Sequence, residues 1–132
     1  MNLETLRDYC LKLPGVTEEL PFGPDTLVFK VMGKVFLLTP LDTPQHQFNA
    51  KCDPEKAEEL REKYPDVRPG YHMNKKHWNT VYVTGSIPSD ELFSWVKDSY
   101  DLVVASLPKK TREEGSSRKS GGRLSIKFGK PE

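Results

Sequence analysis

Thr26-Leu-Val-Phe-Lys-Val-Met-Gly-Lys-Val-Phe-Leu-Leu-Thr39 consists of two β-prone runs around Met32-Gly33. Branched and aromatic side chains favour a pleated, half-buried backbone. Gly33 can take the positive φ that a tight two-residue turn demands. The stretch therefore predicts a hairpin, with strands over Thr26–Val31 and Lys34–Thr39. Leu27, Phe29 and Val31 share one face of the first strand; Thr26, Val28 and Lys30 share the other. The second strand is apolar on both faces at Val35, Phe36, Leu37 and Leu38, which places it centrally in a sheet.

The flanking segments extend this hairpin into a domain. Downstream, Gln45 to Lys51 alternates, with His46, Phe48, Ala50 and Cys52 opposed to Gln47, Asn49 and Lys51. It reads as a third strand antiparallel to the second. Upstream, Asn2 to Leu13 reads as a helix capped by Asn2, with Leu3, Leu6, Cys10 and Leu13 on one face. Arg7, Asp8 and Lys12 fall on its solvated face, and Pro14-Gly15 ends it. Val16 to Pro24 reads as a connection with strand character at most, with Glu18-Glu19 exposed and Phe22 anchored on the core.

Asp53-Pro54-Glu55 opens a second helix: a capping carboxylate, a proline where no N–H is needed, and an acid at the positive end of the dipole. Ala57, Leu60 and Tyr64 form its apolar stripe. Glu58, Glu59, Arg61, Glu62 and Lys63 read as a solvated face. Val67–Pro69 reads as a short edge strand and Thr80–Thr84 as a further strand. The last helix starts at Ser89, with Leu92, Trp95, Val96, Tyr100, Val103, Val104 and Leu107 towards the core and a candidate break at Ser99-Tyr100-Asp101. The order is α-β-β-β-α-β-β-α. Its economical solution is an α+β, two-layer domain in which an antiparallel sheet is packed with helices.

A chain of 132 residues fits one domain. We place it at residues 1–110, followed by a basic, Gly/Ser-rich, disordered tail at 111–132. The net charge of +1 hides an asymmetry. Met1–Pro108 holds 12 basic and 16 acidic residues, whereas Lys109–Glu132 holds 8 and 3. Affinity for nucleic acid must then come from a local cluster, the tail, or both. No apolar run reaches the roughly 18 residues of a membrane span, and the N-terminus lacks signal-peptide order. The expected location is cytoplasmic, with no membrane contact, and Cys10 and Cys52 are expected to be reduced. The oligomeric expectation is a monomer.

One polar stretch stands apart: Pro69-Gly-Tyr-His-Met-Asn-Lys-Lys-His-Trp-Asn-Thr-Val-Tyr-Val83. Lys75 and Lys76 suit phosphates. Asn74, His77 and Asn79 can donate to phosphate or base edges. Tyr71, Trp78 and Tyr82 offer flat faces for stacking. The competing reading is a turn whose aromatics cap the sheet end while its lysines keep an edge soluble. His72 and His77 are spaced wrongly for a helical metal pair and have no Cys or acidic ligand nearby, so no metal or other cofactor is expected. No nucleophile–base pair or phosphate-cradling glycine loop is present, so no enzymatic activity is expected.

Pro21-Phe-Gly-Pro-Asp-Thr-Leu-Val-Phe-Lys30, Lys51-Cys-Asp-Pro54, Arg68-Pro-Gly-Tyr-His-Met-Asn-Lys-Lys-His-Trp-Asn79 and Ser99-Tyr-Asp-Leu-Val103 strongly resemble the MmcQ/YjbR family. The match covers about Met1 to Lys110. The resemblance implies a CyaY-like α+β domain, close to the secretion-chaperone arrangement. It also implies a proposed double-wing DNA-binding motif, in which two β-wings flank a helix. Here the wings fall near Met32-Gly33 and at Tyr71–Asn79. The expected function is binding of double-stranded DNA through a basic and aromatic β-wing, as an accessory regulator. Two other readings stay open. One is a chaperone-like module that binds a protein partner; the other is a small-ligand site around His72, His77 and Trp78.

Overall fold

The computed structural model describes residues 1–70 and 73–112. The chain runs α1 (Leu3–Lys12), β1 (Val16–Glu19), β2 (Thr26–Val31), β3 (Lys34–Pro40), β4 (Gln47–Lys51), α2 (Pro54–Lys63), β5 (Val67–Pro69), β6 (Trp78–Tyr82) and α3 (Ser89–Ala105). The strands form a six-stranded sheet in the order β1-β2-β3-β4-β6-β5, and all neighbours are antiparallel. The helices pack on one face of the sheet; on the other, Val28 of β2 is buried, while the β4, β6 and β5 positions are only partly covered or exposed. This is the expected α+β class, with one strand more than the sequence pattern implies. No helix among the described residues is long and apolar enough to cross a membrane.

Local chemistry sets most boundaries as expected. Asn2 Oδ1 accepts from Thr5 N at 2.9 Å, and Thr5 Oγ1 accepts from Asn2 N at 2.9 Å, a reciprocal cap on α1. Asp53 caps α2 with Pro54 in its first turn. Met32 and Gly33 both have positive φ, 48° and 85°, the pattern of the mirror-image turn that suits twisted hairpins. β3 is central, between β2 and β4. A bulge interrupts its pairing with β2: Phe29 faces Leu37 while Lys30 faces Val35, so Phe36 is the extra residue. Phe36 and Leu37 consequently both join the core, with Phe36 edge-on to Tyr100 at 5.5 Å.

Val16–Glu19, expected as a connection, is an edge strand. Glu18, expected in solvent, is buried, and so is Arg7 from the supposedly solvated face of α1. The Arg7 guanidinium donates from Nε to Glu18 Oε1 at 2.7 Å and from a terminal nitrogen to Oε2 at 2.6 Å. A bidentate, charge-assisted pair lets both groups leave water. Phe22 does not anchor on the core; it is 72% exposed. Ser99 does not break α3, which is continuous. Ser99 is buried; its Oγ donates to Phe36 O at 2.5 Å and accepts from Lys51 N at 2.8 Å. Val104 is only half-buried. Most of the basic tail, with its alternating Leu124–Phe128, lies outside the described residues.

Glu18→Ala strips Arg7 of two strong hydrogen bonds inside the protein. It is expected to destabilise the fold by about 3–5 kcal/mol in urea denaturation, whereas the double change Arg7→Met/Glu18→Leu costs far less. A second expectation concerns His46, whose Nε2 is buried with no protein partner. Burial, aided by the nearby N-terminal amino group, lowers its pKa below the ordinary 6.5. The unfolded chain then takes up the proton first, so this contribution to stability is intact above pH 6.5 and is lost as pH falls through the lowered value. Denaturation measured on both sides of that pH should show a smaller acid loss in His46→Asn than in the parent.

Candidate nucleic-acid interface

In the described part of the β5–β6 connection, residues 73–77, the backbone is wound into a turn. His77 N and Trp78 N both donate to Asn74 O, at 3.0 and 2.9 Å, and Asn74 Oδ1 accepts from Lys76 N at 3.0 Å. An asparagine side chain that folds back onto its own backbone is a common turn device. Half of the Asn74 amide is therefore structural, and its Nδ2 end is left for other contacts. At the base, Gly70 N donates to Trp78 O at 2.8 Å and Cys52 N donates to His77 O at 2.7 Å. The β4–β6 ladder thus runs one step past Lys51↔Trp78 and carries the turn with it.

The turn also has a brace that the sequence pattern hides. Arg61, expected on the solvated face of α2, reaches across to the turn. Its Nε donates to Asn79 Oδ1 at 2.7 Å, and a terminal nitrogen donates to Lys75 O and to Trp78 O. Asn79 is 3% exposed and turned towards the helices, so it supports the turn from inside rather than presenting an amide to a ligand. Its Nδ2 has no protein acceptor. The signal for Arg61 was its position four residues after Ala57 and three before Tyr64, which puts it on the apolar stripe itself, where its long stem can run along the apolar surface.

Lys75, Lys76 and Asn74 are exposed at the tip, while His77 and Trp78 are half-buried. Tyr71 and His72 lie outside the described residues. The structure thus brings Asn74, Lys75 and Lys76 together on the surface, with His77 and Trp78 at the root and Asn79 beneath. Gly70 lies against Trp78: a Cβ there would come within 3.0 Å of Trp78 Cβ and 3.1 Å of its carbonyl oxygen.

Beyond the turn, strand alternation sends Trp78, Thr80 and Tyr82 to the open face, beside Gln47, Asn49 and Lys51 of β4 and Arg68 of β5. β4, β5 and β6 contain no acidic residue. Acidic groups crowd the helical layer instead: Glu55, Glu58, Glu59 and Glu62 on α2, and Asp90, Glu91, Asp98 and Asp101 on α3. The Met32-Gly33 turn and the β5–β6 turn project from the same end of the sheet. β4 separates their strands, a gap of two strand spacings, or about 10 Å. Among the described residues no group of His, Cys, Asp and Glu is placed to hold a metal ion. Both cysteines are free and buried, and burial pushes both thiols up, away from a reactive thiolate.

A small α+β domain with helices on one sheet face and a braced basic turn at one end is the class that the fold and site define. The YjbR family model matches residues 11–102. YbdF, an uncharacterised protein of Escherichia coli O157:H7, is 41% identical over 110 residues, covering 83% of this chain and 90% of YbdF. YjbR of Escherichia coli K12, also uncharacterised, is 34% identical over 113 residues, covering 86% and 96%. The crystal structure of protein DR2400 from Deinococcus radiodurans, a DUF419 domain, superposes with a TM-score of 0.83 at 38% identity, covering 90% of this chain and 91% of that one. A Pseudomonas syringae protein superposes with a TM-score of 0.67 at 30% identity, covering 77% and 98%. The chain belongs to the YjbR family.

Two substitutions test the brace. Arg61→Ala removes three hydrogen bonds and leaves the buried Asn79 amide unmet; a loss of about 1–3 kcal/mol in urea denaturation is expected. Gly70→Ala pushes on Trp78 backbone atoms that cannot yield, and should cost about 1–3 kcal/mol. Both should move Trp78 emission in a Trp95→Phe background towards that of a water-exposed indole.

Proposed function

We propose that this chain is a DNA-binding protein that grips the duplex backbone with the β5–β6 turn, in a binding rather than catalytic role. The observation that carries the reading is the pair Lys75 and Lys76: both are exposed on a turn fixed from beneath by Arg61. A fixed turn loses little conformational freedom on binding. Lys75 and Lys76 meet phosphates. Asn74 and the half-buried His77 position the tip against the backbone, and Trp78 and Asn79 hold its root.

Charge segregation supports the approach direction. The acidic helical layer repels phosphate, while Lys51 and Arg68 extend the positive strip along the open face from the turn. The net acidity of residues 1–108 therefore does not face the duplex. An accessory regulatory role is part of the same reading.

Fluorescence anisotropy with a labelled duplex, titrated at low and moderate salt, tests this. Log affinity should fall with log salt, and Lys75→Ala/Lys76→Ala should flatten the slope by about 0.9 for each phosphate no longer neutralised. Equal binding by the double variant, or no binding at low salt, would remove the turn as a DNA site. A parallel truncation of residues 113–132 separates the turn from the tail, since loss of all affinity on truncation would assign binding to the tail.

A further inference from the structure

A second feature of the open face is independent of the turn. Between the β3–β4 loop and β5 runs a groove of about 420 Å³, within the size range of small-molecule sites. Its floor is Gln47, Asn49, Thr80 and Tyr82; Pro40 and Pro69 wall it and Arg68 stands at its rim. No acidic residue is among the described lining residues.

The hydrogen-bonding state of the floor can be read. Thr80 Oγ1 donates its proton to Asn49 Oδ1 at 2.5 Å. This fixes the Asn49 amide, whose Nδ2 becomes a free donor, and leaves the Thr80 oxygen as an acceptor beside it. A side-by-side donor and acceptor is the complement of a planar heterocycle edge that carries an acceptor next to an N–H. On its Watson–Crick side every unpaired nucleobase presents a donor beside an acceptor, and amide side chains make this kind of two-point contact with adenine. The one charge at the groove is Arg68. Its guanidinium lies 5.7 Å from the centre of the Tyr82 ring, a cation–π contact that holds it in place. It forms no salt bridge among the described residues. Asp66, at the foot of β5, feels its charge, but the Asp66 carboxylate is engaged by Thr84 and Ser86, and the guanidinium keeps its donors for bidentate capture of a phosphate.

We infer that this groove binds a single nucleotide unit, with its phosphate on Arg68 and its base edge on Asn49 Nδ2 and Thr80 Oγ1. Gln47 lies at the next register step along the same face and adds an amide. The proline walls give flat, rigid surfaces against the ring. The unit arrives either as a free mononucleotide or as an unpaired nucleotide in a strand. Its recognition does not need Lys75 or Lys76, so this site and the turn can fail separately.

The test is amide-resolved NMR titration of the full chain with adenosine and cytidine 5′-monophosphates, a short single-stranded oligonucleotide, and ribose 5-phosphate as a baseless control. Saturable shifts centred on Asn49, Arg68 and Thr80 are expected. Arg68→Gln, on an exposed edge position, should weaken binding roughly tenfold or more, as does loss of one charge-assisted hydrogen bond. Asn49→Ala should bring the nucleotide down to the level of ribose 5-phosphate, and Lys75→Ala/Lys76→Ala should change nothing. Binding of the oligonucleotide at these residues without the monophosphates assigns the unit to a strand. Binding of ribose 5-phosphate as tightly as the nucleotides overturns the base contact. Silence with every probe, or shifts that vanish only in the lysine variant, overturns the site.

Discussion

The hydroxyl of Ser99 holds the layers of this protein together and sets how its sheet opens. β3 and β4 pair over only two residue pairs, Leu37↔Ala50 and Leu38↔Asn49. At the next step, where Phe36 O and Lys51 N would be neighbours in an unbroken ladder, Ser99 takes both groups. A helix side chain has been inserted between two strands. The backbone groups stay satisfied, which burial requires, but the strands part. β4 then continues with β6 into the basic turn, while β3 continues with β2 into the Met32-Gly33 hairpin. Ser99 sits where the two projections diverge, and the bulge places Phe36 against Tyr100 beside it.

This parting gives each arm its own chemistry. The arm formed by β4, β5 and β6 carries the Arg61 brace, the two lysines and the acid-free open strip. The helical layer carries the carboxylates. The near-neutral formal charge of the whole chain is a sum over surfaces that face different ways, and it says little about what any one of them attracts.

Elements written in local chemistry were legible in the sequence. The hairpin at Met32-Gly33, the caps at Asn2 and Asp53, the short β5 and the amphipathic α3 all follow from residues within a few positions of each other. The errors involve partners distant in sequence or space. Arg7 and Glu18 each look solvated alone; only the packing of α1 on β1 shows that they neutralise one another. Arg61 is one of a run of charged residues until the β5–β6 turn is brought beside it. Ser99 resembles a helix breaker because serine competes for backbone groups locally, and here the groups it takes belong to two strands. At the candidate site, Lys75, Lys76 and Asn74 were legible as surface groups. The inward turn of Asn79 was hidden, because strand alternation has to be counted from a pairing that only the fold reveals.

The Arg7–Glu18 pair also bears on what surrounds the molecule. β1 is one margin of the sheet, and a margin offers unpaired N–H and C=O groups to any passing strand. Glu18 points inward from that margin, and its buried carboxylate is satisfied by Arg7 of α1. A foreign strand that peeled α1 away to extend the sheet would expose a buried charge to an apolar neighbour. The opposite margin, β5, is three residues long and ends in Pro69, which has no N–H to donate. One flank is guarded by a buried polar pair and the other by a missing hydrogen. Both devices work against edge-to-edge pairing of the sheet.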